Sequence, residues 1–169
     1  MRCARRAPRG EKMETQLMLS GSYEEHLAQM ERNSHIVGIS MWDFEWCPKY
    51  RYKMFRKWKN MKLVEACIRR AASLHGIRWI KLSVQPNHVQ GTAAIPMTLA
   101  PSMALQYLKG LSSKKYFEKC PKARLRYPKG HLWSRGKYAA SIGFVQIDVV
   151  NRYIENQDKH HGTVWIMGD

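Results

Sequence analysis

The hydrophobic pattern of this chain predicts an α+β fold, an antiparallel sheet with helices packed on it. Three observations carry that prediction. Segments of strand and helix character run in the order strand, helix, strand–strand, helix, short strands, helix. The two central strands are joined by the turn Pro86-Asn87, which reads as an antiparallel hairpin. Neither GxGxxG nor GxxxxGK[ST] occurs, so the phosphate loops of nucleotide-binding α/β folds are absent.

The elements follow in order. Residues 1–33 read as a basic, flexible extension. Within it Gly21–Arg32 could form a short helix, with Ser22 as cap and Leu27 and Met30 three apart. A domain over residues 34–160 comes next, then a tail over 161–169 with no assigned role. Ile36–Cys47 is rich in β-branched and aromatic residues and stops at Pro48, as a strand does. Lys49–Lys62 interleaves basic residues with Tyr50, Tyr52, Phe55 and Trp58. That composition suits a phosphate-binding surface with stacking rings. It suits equally a solvated loop whose rings anchor it to the core.

Leu63–His75 has helical spacing, with Gly76 as terminator. Ile77–Val84 and His88–Ile95 form the hairpin strands. Pro101–Lys119 is helical, with a possible break at Gly110, and ends before Pro121. Pro121–Gly130 is a basic loop, and His131–Ser134 and Tyr138–Phe144 are short strands. Asp148–His160 is the last helix, with Ile147, Val150 and Ile154 as its buried stripe.

Composition limits the partners. With 169 residues, 44% of them hydrophobic, the chain can bury the core of one domain. Lys and Arg total 29 against 13 Asp and Glu, a formal charge of +16. An excess of this size points to phosphate, in nucleic acid or on an anionic membrane. No apolar run approaches the roughly 18–20 residues of a spanning helix, so no membrane partner is expected. Met1–Lys12 is basic without a following apolar core, unlike a signal peptide. Cys3, Cys47, Cys67 and Cys120 are dispersed with no CxxC pair. That spacing fits reduced thiols in a cytoplasmic protein.

Two short motifs could carry chemistry. In His88-Val89-Gln90, strand alternation puts His88 and Gln90 on one face, with Thr92 beyond, and Val89 on the other. Imidazole nitrogen and amide oxygen both bind metal ions, the amide more weakly. A surface hydrogen-bonding pair is the plainer reading of such a motif alone. In Tyr153-Ile154-Glu155-Asn156-Gln157, Tyr153 and Gln157 share a helix face while Ile154 turns inward. Tyrosine attacks phosphodiesters when a metal polarises the phosphate. A tyrosine on a helix otherwise packs.

In a basic chain the two motifs together are more telling. The chain resembles the single-tyrosine HUH transposases of small, hairpin-ended insertion sequences, the IS200-like family. The resemblance runs from about Glu45 to Gln157. It includes WCPKYR at Trp46–Arg51, PNHVQ at Pro86–Gln90, QYLKGLSSKKYFEKCP at Gln106–Pro121, GHLWSRGKYAASIG at Gly130–Gly143 and YIENQ at Tyr153–Gln157. It implies a ferredoxin-like, RRM-like nuclease core. It implies that Tyr153 attacks a DNA phosphate, leaving a 5′-phosphotyrosine link and a free 3′-hydroxyl. It implies Mg2+ or Mn2+ held by His88, Gln90 and Gln157, a homodimer with active sites shared between subunits, and single-stranded DNA with hairpin ends as substrate.

The usual pattern is His-hydrophobic-His, and here the second position is Gln90; Asn87 stands where the family often has Asp. A descendant that binds hairpins without cutting is therefore the alternative. A third reading, an RNA-binding protein of translation, has only the charge and the interleaved rings behind it. Lys49, Arg51, Lys109, Lys114, Lys115 and Arg135 are the candidate contacts to DNA phosphates, and Arg124, Arg126, Lys129 and Lys137 flank the short strands. His131, Trp133 and Arg135 alternate and could share a face; Trp133 could equally be core.

Overall fold

The structure is a computed structural model in which residues 31–32, 37–38, 40–143 and 154 are described. The chain divides into two units, residues 1–39 and 40–169. The described part of the first is a two-stranded ribbon, β1 (Glu31–Arg32) antiparallel to β2 (Val37–Gly38). The second holds β3 (Met41–Trp46), α1 (Trp58–Leu74), β4 (Arg78–Val84), β5 (Val89–Ala94), α2 (Pro101–Lys119) and β6 (Tyr138–Ser141). Its sheet has the order β4-β5-β3-β6, with every neighbouring pair antiparallel. The expected α+β fold is the observed one.

The two helices lie on one face of this sheet. Phe44 and Trp46 of β3, Val84 of β4, and Val89 and Ala93 of β5 join Val64, Ile68 and Ala71 of α1 and Ala104, Leu105 and Leu108 of α2 in one core. Rings fill the end of it: Trp46 meets Trp133 edge-on at 5.9 Å, and Phe55 meets Tyr116 at 5.8 Å and 90°. Phe55 is therefore the ring that anchors the basic segment, while Tyr50, Tyr52 and Trp58 are exposed.

Several boundaries differ from the sequence expectation, each for a local reason. The strand expected over Ile36–Cys47 is divided between β2 and β3. The Ser40 carbonyl takes the N–H of Ile95, just beyond the end of β5, and the β3–β5 ladder runs inward from there. α1 starts at Trp58, five residues before the expected Leu63, because Met61 is the one buried residue of its first turn, while Trp58 is exposed and Lys59 and Lys62 flank it. Its end agrees with expectation: Gly76 has φ +65°, and the N–H of Ile77 reaches back to the Ala72 carbonyl at 3.0 Å. α2 runs unbroken through Gly110, which is exposed with open space around it. Pro121–Arg126 is a 3-10 helix within the expected basic loop. The expected strand His131–Ser134 is a single bridge from Trp133 to Pro48. Of the last expected helix only Ile154 is described; it is helical and buried.

Candidate active site

The site begins with a turn. The N–H of Gln85 donates to the His88 carbonyl at 2.8 Å, closing a two-residue loop over Pro86-Asn87. That closure sets the register Val84↔Val89, Ser83↔Gln90, Lys81↔Thr92. Register decides faces in a strand, since a slip of one residue would exchange them. Val89 therefore enters the helical core, fully buried, and Gln90 and Thr92 take the opposite face. On β3 the same alternation sends Phe44 and Trp46 to the core and Asp43 and Glu45 to the face of Gln90, through the pairs Glu45↔Gln90 and Asp43↔Thr92.

This second face is polar and partly closed. Asp43 is 8% exposed, Gln90 6% and Thr92 fully buried. The Gln90 amide nitrogen donates to Asp43 Oδ2 at 3.3 Å, and Asp43 Oδ1 is buried with no hydrogen-bond partner. Burial pushes the Asp43 carboxyl above the ordinary carboxylate range; the Gln90 amide pulls it back, and the charge of Glu45 adds to the rise. His88 Nδ1 lies 2.9 Å from Asn87 Oδ1. An amide oxygen only accepts, so Nδ1 donates in this contact and, in the neutral ring, Nε2 carries the lone pair. Asn87 thus orients the ring without the negative charge an Asp would bring.

These donors fit a hard divalent ion. An imidazole nitrogen and an amide oxygen are donors that Mg2+ or Mn2+ accepts, though among the described residues no three His, Cys, Asp or Glu side chains group as a metal cluster. Tyr153 and Gln157, the remaining expected members, lie outside the described residues.

Two open grooves lie elsewhere on the domain. One, of about 300 Å3, runs from Glu45 on the polar face past Tyr138 to Arg51 and Lys137. It follows two consecutive left-handed residues, Tyr50 at φ 64° and Arg51 at φ 49°, an uncommon conformation for side chains of this size. The other, of about 380 Å3, is lined by Lys114, Arg124, His131 and Trp133.

The candidate phosphate contacts are placed differently from one another. Lys114, Arg51 and Arg135 are exposed. Lys115 pairs with Glu118 at 3.0 Å. Lys49 lies over the Tyr50 ring. Lys109 donates to the carbonyls of Ser134 (2.8 Å) and Gly136 (3.2 Å), clipping that loop to α2; burial, and then Lys137, lower its pKa. Trp133 is core, its indole N–H donating to the buried Ser112 hydroxyl at 3.0 Å, while His131 and Arg135 are exposed.

Comparison with known proteins agrees with the resemblance read from the motifs. The family model described as "Transposase IS200 like" matches residues 40–157. This chain belongs to the IS200-like transposase family. Two curated relatives, the transposases for insertion sequence element IS200 of Salmonella typhimurium and Salmonella typhi, are each 27% identical over 96 residues, covering 57% of this chain. The chain spans 62% of the length of either relative. Among solved structures, a candidate transposase from Deinococcus radiodurans R1 matches with a TM-score of 0.61 at 22% identity, over 76% of this chain and 98% of that one. A REP-associated tyrosine transposase bound to a REP hairpin matches with a TM-score of 0.57 at 16% identity, over 80% of this chain and 74% of that one. The family fold is thus the fold described above.

Asp43 is the site residue that the sequence reading missed. Its signal is the alternation in Met41–Trp46: with Trp42, Phe44 and Trp46 on the core side, Asp43 and Glu45 must share the other.

Proposed function

We propose that this chain is a transposase that cleaves and rejoins single-stranded transposon ends carrying DNA hairpins. The observation that supports it most is the polar side of the β4–β5 hairpin, where His88, oriented by Asn87, and Gln90 lie within the stretch that the family model matches. The Tyr153 phenolic oxygen attacks a DNA phosphorus, the bond from phosphorus to the 3′-oxygen breaks, and that oxygen leaves as a 3′-hydroxyl after taking a proton. The product is a 5′-phosphotyrosine link, which a second 3′-hydroxyl can reverse; the bond energy is kept, so no nucleotide is consumed. His88, Gln90 and Gln157 would hold Mg2+ or Mn2+. Bound there, the ion would withdraw electron density from the scissile phosphate and stabilise the leaving oxygen.

The basic groove residues Arg51 and Lys137 would steady the strand near the polar face, and Lys114 and Arg124 the hairpin phosphates. Hairpin recognition draws support from the REP-associated tyrosine transposase, which was solved with a hairpin. Among the described residues no helix is long and apolar enough to cross a membrane. We place the activity in a cytoplasmic homodimer whose subunits share active sites.

Tyr153→Phe tests the reading. Incubated with hairpin-bearing single strands and Mn2+, the variant is expected to bind but to form no covalent adduct; an adduct in its presence would refute the nucleophile. Mixing Tyr153→Phe with His88→Ala protein is expected to restore some adduct, because one subunit then supplies what the other lacks. A second reading, a hairpin binder that does not cut, rests on Gln90. It predicts no cleavage by the native chain and cleavage after Gln90→His.

A further inference from the structure

Asp43 is the only buried acid among the described residues. Among those residues no Lys or Arg pairs with it, and one of its oxygens is unmet. Packing alone does not account for it. A buried carboxylate without a counter-ion costs the fold, and an apolar side chain of similar size would fill the space without that cost.

Its position relative to Gln90 supplies a role. Asp43 pairs with Thr92 and Glu45 with Gln90, so Asp43 stands one same-face step beyond Gln90 on β5. His88 stands one such step before Gln90. Along the strand, Gln90 therefore has the Asp43 position one same-face step to one side and His88 one such step to the other. An ionised carboxylate can only accept hydrogen bonds, so it selects the amide nitrogen, here at 3.3 Å. The amide oxygen occupies the other branch of the same planar group and is turned away from Asp43.

We propose that Asp43 is a positioning residue for Gln90, fixing the amide so that its oxygen faces the His88 end of the strand, where the metal ion binds. The inference rests on the metal site proposed above and deepens it. Imidazole can offer a lone pair from either nitrogen by choosing its tautomer. An amide has one end that binds a cation and one that repels it, so a glutamine in this place needs a partner that selects the end. Partners of this kind behind a metal ligand typically matter by about 10–100-fold in affinity.

The experiment is Mn2+ titration calorimetry on the full chain, with wild type, Asp43→Asn, Gln90→Ala, the double variant and His88→Ala. Asparagine keeps the volume but can donate or accept, so it no longer selects one end of the amide. Asp43→Asn is expected to weaken Mn2+ binding about tenfold or more. Gln90→Ala is expected to weaken it at least as much, and the double variant no further than Gln90→Ala alone. Wild-type affinity in Asp43→Asn, beside a clear loss in His88→Ala, would overturn the positioning role and leave the metal site standing. An equal loss from Asp43→Asn in the wild-type and Gln90→Ala backgrounds would also overturn it, since Asp43 would then act on the ion directly. Unchanged binding in His88→Ala would overturn the metal site, and this inference with it. Thermal unfolding without metal checks the fold; if Asp43→Asn does not fold, Asp43→Ser takes its place in the same cycle.

Discussion

Ser112→Ala should be far more damaging than its size suggests. Ser112 lies on the buried stripe of α2, fully enclosed, and its hydroxyl accepts the indole N–H of Trp133 at 3.0 Å. Removing the hydroxyl strands that N–H where water cannot reach it, at a cost of about 1–3 kcal/mol. Trp133→Phe removes the donor instead. The Ser112 hydroxyl is still served there, because it also donates to the Lys109 carbonyl at 3.4 Å, so the loss is one of packing, about 1–2 kcal/mol. In the Trp133→Phe background the serine no longer answers to an indole, and Ser112→Ala should cost only about 0–0.5 kcal/mol. The predicted coupling is therefore about 0.5–3 kcal/mol, measured by urea unfolding of the four proteins under one set of conditions. Equal effects of Ser112→Ala in the two backgrounds would refute the reasoning. The matter reaches beyond stability, because Trp133 bridges to Pro48 and its neighbours Leu132 and Ser134 bond to Lys49 and Cys47. Loosening it should also weaken hairpin binding through the groove that Trp133 lines.

Other outcomes follow from single features. Gly91→Ala would drive a Cβ into the Lys81 carbonyl and against Leu82 Cα, forcing β4 and β5 apart; a loss of about 1–3 kcal/mol is expected in thermal unfolding, with weaker Mn2+ binding because Gln90 is the next residue. Gly110→Ala, in open space on an exposed helix face, should stabilise by about 0.5–1 kcal/mol in the same assay. Tyr127 is buried with an unpartnered hydroxyl, and burial first, then Tyr52, push its pKa up to about 12. The unfolded chain ionises this group near its ordinary value of 10.0, so the stability it confers is whole below that pH and is lost as pH rises toward 12. Tyr127→Phe should therefore flatten the fall in unfolding midpoint over that alkaline range, and an unchanged slope would count against the assignment.

The sequence was most legible where one physical signal acted alone. The hairpin was, because Pro86-Asn87 falls between two apolar runs; so was the end of α1, because Gly76 takes the left-handed conformation that other residues resist. The start of α1 was not, since Trp58 there is exposed and Lys57, Lys59 and Lys62 surround its one buried residue, Met61. Gly110 was over-read: a helix glycine breaks nothing when packing holds the turns on either side. At the site, alternation separates Gln90 from Val89, and the register places Val89 against the helices as expected. Asp43 escaped notice because a lone acid in a strand says nothing until its register partner is known, and that partner is about fifty residues away in the chain. The same limit applies to Lys109, which composition marks as a phosphate contact and the fold has engaged with two carbonyls.

The two-sidedness of β5 has a consequence for how such a protein can change over time. Consecutive residues of the strand answer to separate demands: Val89 and Ala93 to packing against the helices, Gln90 to the polar reverse, where we propose the chemistry lies. A mutation at 90 leaves the folding side untouched, so ligand chemistry can be tried there one substitution at a time without first losing the scaffold. Insertion of a single residue in the strand would have the opposite effect, sending every packing side chain into the reaction centre and every reactive one into the core. Lineages built on this strand are thus free to exchange letters in it and barred from changing its length.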